Sequence, residues 1–267
     1  MNHTLFHHMQ WNHGTTIPGE DQLIVEEPLS IRIQGNPYSV VMRTPGDELA
    51  HAAGFCLTEG IVDHPDDFSS IGFCDAIDKN TVNITLNPDV QSRKQQLIDR
   101  KNFVSQTSCG ICGKAIMDDL FQIVRPMAPS EKLNLEHAGH CLESLSDHQP
   151  LRAITRASHA AAIFSPDMTL LAAAEDVGRH NALDKAIGKL FLEKRLAEAG
   201  FVILSSRISF ELVQKAARAR VPVILALSRP TALAVELAKK LSMTLGCRSK
   251  QSGLIIFCGY DRLDLQS

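Results

Sequence analysis

The chain has 267 residues, 44% of them hydrophobic and 21% charged, enough for one large domain or two modest ones around a sizeable core. A net charge of −3 creates no overall field drawing the chain to nucleic acid or to an acidic membrane surface, and no apolar run approaches the ~20 residues of a membrane helix. Residues 1–14 are polar and His-rich, with no apolar signal-peptide core, so the expectation is a cytoplasmic protein without nucleic-acid or membrane partners. Seven cysteines, an odd number, argue against a disulfide framework.

In chain order, residues 1–21 read as a flexible polar tail carrying His3, His7, His8 and His13. Residues 22–105 read as a small α+β domain. In it the apolar alternation of Leu23, Val25, Ile31, Ile33, Val40 and Val41 around Gly35-Asn36-Pro37 predicts a hairpin. Pro45-Gly46-Asp47 opens a helix over Glu48–Leu57 that stops near Gly60. Val82–Leu86 alternates as a strand closed by Asn87-Pro88, and a helix or irregular stretch runs from Asp89 to about Arg100. Residues 106–150 are a connecting region with a Cys pair, an amphipathic helix over Ile116–Val124, a break at Pro126 and Pro129, and a second helix around Leu133–Ser144.

From 151 to 267 apolar strands alternate with helices. Strands are predicted at Ala160–Phe164, Thr169–Ala174, Phe201–Leu204, Pro222–Leu227 and Leu254–Phe257, and helices at Ala182–Ala199, Phe210–Arg220 and Thr231–Leu241. This spacing predicts a larger α/β domain with a mixed or parallel sheet covered by helices. Cys56 and Cys258 lie in apolar runs and read as small core residues.

The most informative octamer is Thr107-Ser108-Cys109-Gly110-Ile111-Cys112-Gly113-Lys114. Two thiols three apart at the start of a helix face its free N–H groups and positive dipole end, which favour a thiolate, and Lys114 adds positive charge. Gly110 and Gly113 leave the backbone open to a partner. An accessible thiolate of this kind suits nucleophilic sulfur chemistry, including uptake of sulfane sulfur as a persulfide. Two other readings stay open. Half of a zinc site needs two more ligands, for which distant His140 and Cys141 are the candidates, there being no second CxxC. A thioredoxin-like pair would follow the first strand of a βαβ unit, whereas this pair lies in mid-chain after an α+β segment.

A second constellation is Glu175-Asp176-Val177-Gly178-Arg179-His180-Asn181, between an apolar strand and a long helix, where loops bind anionic groups. Gly178 permits a tight turn, Arg179 forks onto phosphate or carboxylate, and Asn181 is placed to cap the helix. The same cluster also reads as a surface salt-bridge group. Ser205-Ser206-Arg207-Ile208-Ser209 and Ser228-Arg229-Pro230-Thr231 repeat the pattern at the next two junctions, and Arg248-Ser249-Lys250-Gln251-Ser252-Gly253 forms a fourth basic loop. If the strands are parallel, these junctions share one sheet edge and form a crevice for a nucleotide or other phosphate ligand. His159, ahead of the first strand, reads equally as an acid–base group or as a structural histidine.

Several stretches together resemble the FdhD/NarQ family, the formate dehydrogenase accessory sulfurtransferases. They are Val25-Glu26-Glu27-Pro28-Leu29, Arg43-Thr44-Pro45-Gly46-Asp47, Gly54-Phe55 with Thr58-Glu59-Gly60, Ser108 to Gly113, Glu175 to Lys185, and Ser209 to Ala216. The likeness covers about residues 22–260. It implies a cytidine-deaminase-like α/β fold, a mixed sheet with helices on both faces, beside the smaller α+β N-terminal domain. It implies a sulfurtransferase that takes persulfide sulfur from a cysteine desulfurase onto Cys109, with Cys112 as the assisting or resolving thiol. The sulfur then passes to the molybdenum (or tungsten) bis(molybdopterin guanine dinucleotide) cofactor, bound as substrate, before insertion into the formate dehydrogenase catalytic subunit. The family's cofactor loop falls on Arg248 to Gly253, with Arg179, His180, Asn181, Ser206 and Arg207 as further contacts to the guanine-nucleotide-bearing pterin. Here the loop departs from the family's pattern, since Gly246-Cys247-Arg248 lacks the usual aromatic.

No metal bound directly by the protein is expected. A zinc deaminase is excluded, because His159 is followed by Ala160-Ala161 rather than x-Glu and the CxxC lies upstream. A non-catalytic cofactor chaperone and a zinc-stabilised adaptor, each with a structural Cys pair, remain the alternatives. A homodimer is the default assembly.

Overall fold

The chain opens on a hairpin of β1 (His3–Asn12) and β2 (Thr15–Ile24), joined by His13-Gly14, both with positive φ (47° and 91°) as a two-residue hairpin turn requires. The polar tail expected over residues 1–21 is therefore a paired element, in continuous register from His3 opposite Ile24 to Asn12 opposite Thr15. Its strands mix polar and apolar residues on both faces, so no apolar periodicity marked them, and the turn alone carried the signal. In this computed structural model the described residues are 1–74, 78–99, 124–129, 131–251 and 253–264.

A four-stranded sheet follows. It comprises β3 (Glu27–Ile33), β4 (Asn36–Arg43), β5 (Phe68–Phe73) and β6 (Thr81–Leu86), in the order β4–β3–β6–β5. Leu29, Ile31 and Ile33 of β3 and Val82, Ile84 and Leu86 of β6 alternate onto one buried face, the period-2 pattern of a half-buried sheet. The β3–β4 turn is Gln34-Gly35, one residue earlier than expected, and Pro37 falls beside a bulge on edge strand β4, where a missing N–H is tolerated. Helix α1 (Glu48–Thr58) covers the apolar face, and α2 (Pro88–Ile98) begins with proline at its first position.

After β7 (Leu133–Asn134), α3 (Leu135–Glu143) and α4 (Pro150–Thr155), the second half of the chain builds a six-stranded mixed sheet. Its elements are β8 (His159–Phe164), β9 (Leu170–Asp176), α5 (Arg179–Leu192), β10 (Phe201–Leu204), α6 (Phe210–Arg218), β11 (Val223–Ala226), α7 (Ala232–Lys240), β12 (Thr244–Arg248) and β13 (Leu254–Cys258), followed by β14 (Leu263–Asp264) against β7. The strand order is β13–β12–β11–β10–β8–β9. Alternate side chains divide between two cores. Ala161, Ile163, Val202, Leu204, Ile224 and Ala226 face α5, α6 and α7, while Ala160, Ala162, Phe164, Phe201, Ile203 and Leu225 face α3 and the turn after it. The α/β architecture with helices on both faces is thus as expected. Strand β12 went unseen in the sequence because Gly246 interrupts it. A Cβ at Gly246 would lie 2.8 Å from both Ile256 and Leu225, so the strand passes where only glycine fits.

The two sheets share one hydrophobic core, closed by the crossing of α1 over α5. Gly54 and Gly188 make that crossing a backbone-to-backbone contact. A Cβ at Gly54 would sit 1.9 Å from the Asp184 carbonyl oxygen, and one at Gly188 would sit 1.8 Å from the Ala50 carbonyl oxygen. Neither backbone can move without separating the helices. Gly188→Ala and Gly54→Ala are each expected to cost at least about 3 kcal/mol, the upper range for overpacking, read as a lower midpoint in urea unfolding. Ala→Gly at exposed Ala153 in α4 serves as a control within about 1 kcal/mol.

Candidate functional site

Strands β9, β10, β11 and β12 run in one direction and β8 runs against them. The register sets His159 opposite Asp176, and Leu204 beside Ala161 and Ala226, with Ala226 opposite Cys247. The start of β8 and the ends of β9 to β12 therefore lie on one edge. The four loops singled out in the sequence leave from that edge, and two of them are tied together by an Ile208–Pro230 bridge and by the Thr231 N–H donating to the Ile208 carbonyl at 3.0 Å.

The first loop is built on Asp176, a fully buried carboxylate at the end of β9. The Lys185 ammonium donates to it at 2.7 Å and to the Thr44 carbonyl at 2.7 Å. The backbone N–H groups of Thr44 (3.0 Å) and Gly178 (2.8 Å) and the Asn181 amide (2.9 Å) complete its shell. Asn181 donates also to the Met42 carbonyl at 2.7 Å. Its side chain thus braces the loop against β4 and does not cap the helix. Gly178 has an ordinary φ of −99°, and glycine is needed there for a different reason than a turn: a Cβ would approach the Asn181 amide to 2.8 Å.

A second buried cluster lies one turn along α5. Lys215 of α6 donates to Asp184 at 2.8 Å and to the Thr58 hydroxyl at 3.0 Å, and the Thr58 hydroxyl donates to Asp184 at 2.8 Å. The ammonium also lies 5.7 Å from the centre of the Phe55 ring. Burial opposes the charge on Lys215, but the Asp184 and Glu59 carboxylates outweigh it and hold its pKa above the ordinary lysine value. Arg43, buried at the end of β4, reaches Glu48 at 3.1 Å, Glu27 at 3.3 Å and the Asn80 side chain at 2.6 Å.

His180 stands between these clusters and the open edge, 3.4 Å from the Ser209 hydroxyl and 3.9 Å from Glu211. Burial, then the charges of Arg179 and Lys215, lower its pKa to about 4, so the ring is neutral at pH 7. His159 is lowered by burial and by Arg179 and Arg152, and His51 by burial and by Lys185, Lys215 and Arg43. Glu211 is exposed beside His180, whereas Glu175 is engaged inward. Glu175 accepts the Leu151 and Arg152 backbone N–H groups at the start of α4, at 2.7 and 2.9 Å. The arginines are left outward: Arg207, Arg229 and Arg248 are exposed and Arg179 is half-buried.

The structure thus brings Arg179, His180, Asn181, Ser206, Arg207 and Arg248 to one edge. Ser206 is buried and donates to the Arg207 carbonyl at 3.0 Å. Ser249, Lys250 and Gln251 form the β12–β13 turn, closed by the Ser249 N–H donating to the Gly253 carbonyl at 2.9 Å, with Gly253 at a φ of 72°. Cys109, Cys112, Ser252 and the predicted helix start at Ile116 lie outside the described residues. Cys247 is buried, with burial raising its thiol pKa, as is also the case for Cys56 and Cys258. Among the described residues no group of three or more His, Cys, Asp or Glu side chains is arranged to hold a metal ion. No helix among them is long and apolar enough to cross a membrane.

Comparison with known proteins adds the family. The FdhD/NarQ family model matches residues 24–264. The chain belongs to the FdhD/NarQ family. A Xanthomonas axonopodis pv. citri protein named sulfur carrier protein FdhD is 34% identical over 252 residues, covering 94% of this chain and 89% of that one. A Streptomyces coelicolor protein of the same name is 38% identical over 265 residues, covering 95% and 93%. A crystal structure described as that of a candidate formate dehydrogenase accessory protein from Desulfotalea psychrophila superposes with a TM-score of 0.78 at 20% identity, over 99% of this chain and 100% of that one, and shows the shared fold.

Among the described residues, several of the stretches that resemble the FdhD/NarQ family dock the two sheets. Residues 43–47 bind Asp176 and Lys185, Gly54 packs on α5, Thr58 and Glu59 meet Lys215, and residues 209–216 carry Lys215 itself. Sequence reasoning did not single out Thr44, Thr58, Asp184, Lys185 or Lys215 individually. The signal was there in Leu212, Lys215 and Ala216, whose 3.6-residue spacing puts a lysine on the buried arc of α6.

Two outcomes follow for these groups. Lys215→Met leaves Asp184 buried and unpaired and is expected to cost about 3–5 kcal/mol, whereas Lys215→Met with Asp184→Leu recovers most of it, read by urea unfolding. The His180 ring should titrate near pH 4 by NMR. Between the ordinary value near 6.5 and that pH the unfolded chain takes up a proton that the folded ring refuses. Stability present above pH ~6.5 is therefore lost as pH falls toward 4, and His180→Gln should flatten that slope.

Proposed function

We propose that this chain is a sulfurtransferase serving formate dehydrogenase. It takes sulfane sulfur from a cysteine desulfurase and passes it to a molybdenum bis(molybdopterin guanine dinucleotide) cofactor held as substrate, before the cofactor enters the formate dehydrogenase catalytic subunit. One coincidence carries the reading: a chain whose relatives are named sulfur carriers turns four basic loops out from one sheet edge. In the first step the Cys109 thiolate attacks the outer sulfur of the desulfurase persulfide. A Cys109 persulfide forms and the desulfurase cysteine leaves as its thiolate. Cys112 is the nearby thiol that assists or resolves.

The protein's part toward the cargo is to bind and orient it. Guanidinium forks at Arg179, Arg207 and Arg248 suit the oxygens of a diphosphate, as does Lys250 with a point charge. The loop ends supply backbone donors beside them, and the strand-end setting is where open α/β sheets bind nucleotides. Neutral His180 adds a hydrogen-bonding group that does not repel the guanidinium of Arg179 beside it.

Incubation with a cysteine desulfurase and cysteine should add one or two sulfur masses to the intact chain, and Cys109→Ala should abolish the adduct. No adduct on the unaltered chain, or an undiminished one on Cys109→Ala, rejects the carrier role. A chaperone with a structural Cys pair would instead keep formate dehydrogenase active in cells carrying Cys109→Ala. For the edge, GDP at about 100 times its Kd should stabilise the chain by roughly 2.7 kcal/mol in thermal unfolding, and Arg207→Ala with Arg248→Ala should erase that shift. No shift at saturating GDP would remove the nucleotide from this edge.

A further inference from the structure

We propose that Arg220 and Arg262 are positioning residues for sulfur transfer, clamping the backbone that follows the Cys109–Cys112 stretch. The inference rests on the carrier reading and is built on residues 124–128, which the chain enters after that stretch. Four successive carbonyl groups there accept from two guanidiniums. Arg220 donates to the Arg125 carbonyl at 2.8 Å and to that of Pro126 at 3.2 Å. Arg262 donates to the Met127 carbonyl at 3.2 Å and to that of Ala128 at 2.7 Å. The Met127 N–H donates in turn to the Leu241 carbonyl at 2.8 Å, and Val124 and Met127 are buried in the shared core.

Pro126 and Pro129 have no N–H to contribute to a strand ladder, so the carbonyls of this segment take their donors from side chains. The way those side chains are supplied is unusual. Arg220 stands two residues past the end of α6 with a φ of 60°, the left-handed position where helix ends ordinarily use glycine. A helix stop alone does not call for arginine at such a position, and the strain is held because the fork reaches the segment. Ser242, two residues past the end of α7, has a φ of 54°, and its carbonyl accepts from Arg262 at 2.8 Å. Arg262 is buried, and burial and the charge of Arg220 both lower its pKa. Two like charges are thus brought together around one short run of backbone. Each planar fork meets two neighbouring carbonyls at once, which a lysine ammonium does not match.

For a carrier the consequence is reach. If the segment is released, the nearest described hold after Cys112 moves from residue 125, 13 positions on, to Leu133 of β7, 21 positions on. The effective concentration of a tethered group falls roughly as the −3/2 power of tether length, about a twofold loss here before any loss of orientation.

The full-length chain is compared with Arg220→Gly, Arg220→Lys, and Arg220→Gly combined with Arg262→Lys. Persulfide formation on Cys109 from a cysteine desulfurase and cysteine is timed by intact mass. The thermal unfolding midpoint and the rate of Cys109 alkylation by iodoacetamide are measured beside it. Uptake should slow at least about twofold in the double variant and by a smaller factor in Arg220→Gly, which alone decides if the double variant does not fold. The Arg220→Gly midpoint should hold or rise, because glycine relieves the left-handed position as it gives up the two bonds. Alkylation should stay unchanged, since a small reagent needs no positioning. Arg220→Lys keeps the charge without the fork and should be as slow as Arg220→Gly. Equal uptake in all the chains overturns the proposal and leaves the carrier reading standing. Slower uptake in Arg220→Gly matched by a lower midpoint or by slower alkylation overturns it too, since the arginine then acts through stability or through the thiol itself. No adduct on the unaltered chain rejects both readings together.

Discussion

At the crossing of α1 over α5 the carbonyl oxygens of Ala50 and Asp184 occupy the space where side chains would stand on Gly188 and Gly54. Among the described residues, no other contact ties the N-terminal four-stranded sheet so closely to the six-stranded one. Its closeness fixes the depth and angle at which the two halves meet, and the shared apolar core fills in around it. The charged groups buried beside the crossing are consequences of this approach. With the backbones that near, the loop after β4 reaches Asp176, and the end of α1 reaches Lys215, at hydrogen-bonding distance.

The two buried clusters differ in what they contribute. Generic burial of a Lys–Asp pair is a poor source of stability, because desolvation offsets much of the attraction. Each pair here is instead placed to read alignment. Lys185 needs both Asp176 and the Thr44 carbonyl, and Lys215 needs both Asp184 and the Thr58 hydroxyl, so a shift of either sheet leaves a buried ammonium short of acceptors. The clusters thereby hold Gly178, Arg179 and His180 at a set height above the sheet edge. The candidate site borrows its rigidity from the docking of the N-terminal sheet, although the cationic loops all come from the C-terminal half.

Much of this was legible from residues alone, and the gaps have physical causes. Strand–helix alternation after residue 151 gave the sheet, since each element there buries a clean apolar stripe. The four basic loops were found because glycine and hydroxyl residues punctuate the strand ends. The N-terminal hairpin was missed because neither face is uniformly apolar. Strand β12 was missed because a glycine required by neighbouring Ile256 and Leu225 breaks its propensity. Asn181 looked like a helix cap, as asparagines before helices often are, and only tertiary contact shows it bracing Asp176 against Met42. The individual roles of Lys185 and Lys215 were hidden for a different reason: a lysine in a helix is usually solvated, and its burial depends on partners far away in the chain.

The same accounting resolves the mismatch between a chain of net charge −3 and a basic sheet edge. Net charge counts all carboxylates alike, but Glu175 is occupied by backbone N–H groups of α4, Asp176 by Lys185 and three further donors, and Asp184 by Lys215 and Thr58. Asp176 and Asp184 are paired with lysines inside the fold, and Glu175 is turned inward onto backbone N–H groups. Arg207, Arg229 and Arg248 have no such inward duty and stand exposed at the same edge. A neutral His180 beside Arg179 keeps that edge from acquiring further charge as pH falls toward 5. The local potential therefore depends on which carboxylates the docking of the two sheets consumes: Glu175, Asp176 and Asp184 are turned inward, and of the carboxylates described at this edge Glu211 stays exposed beside three outward arginines.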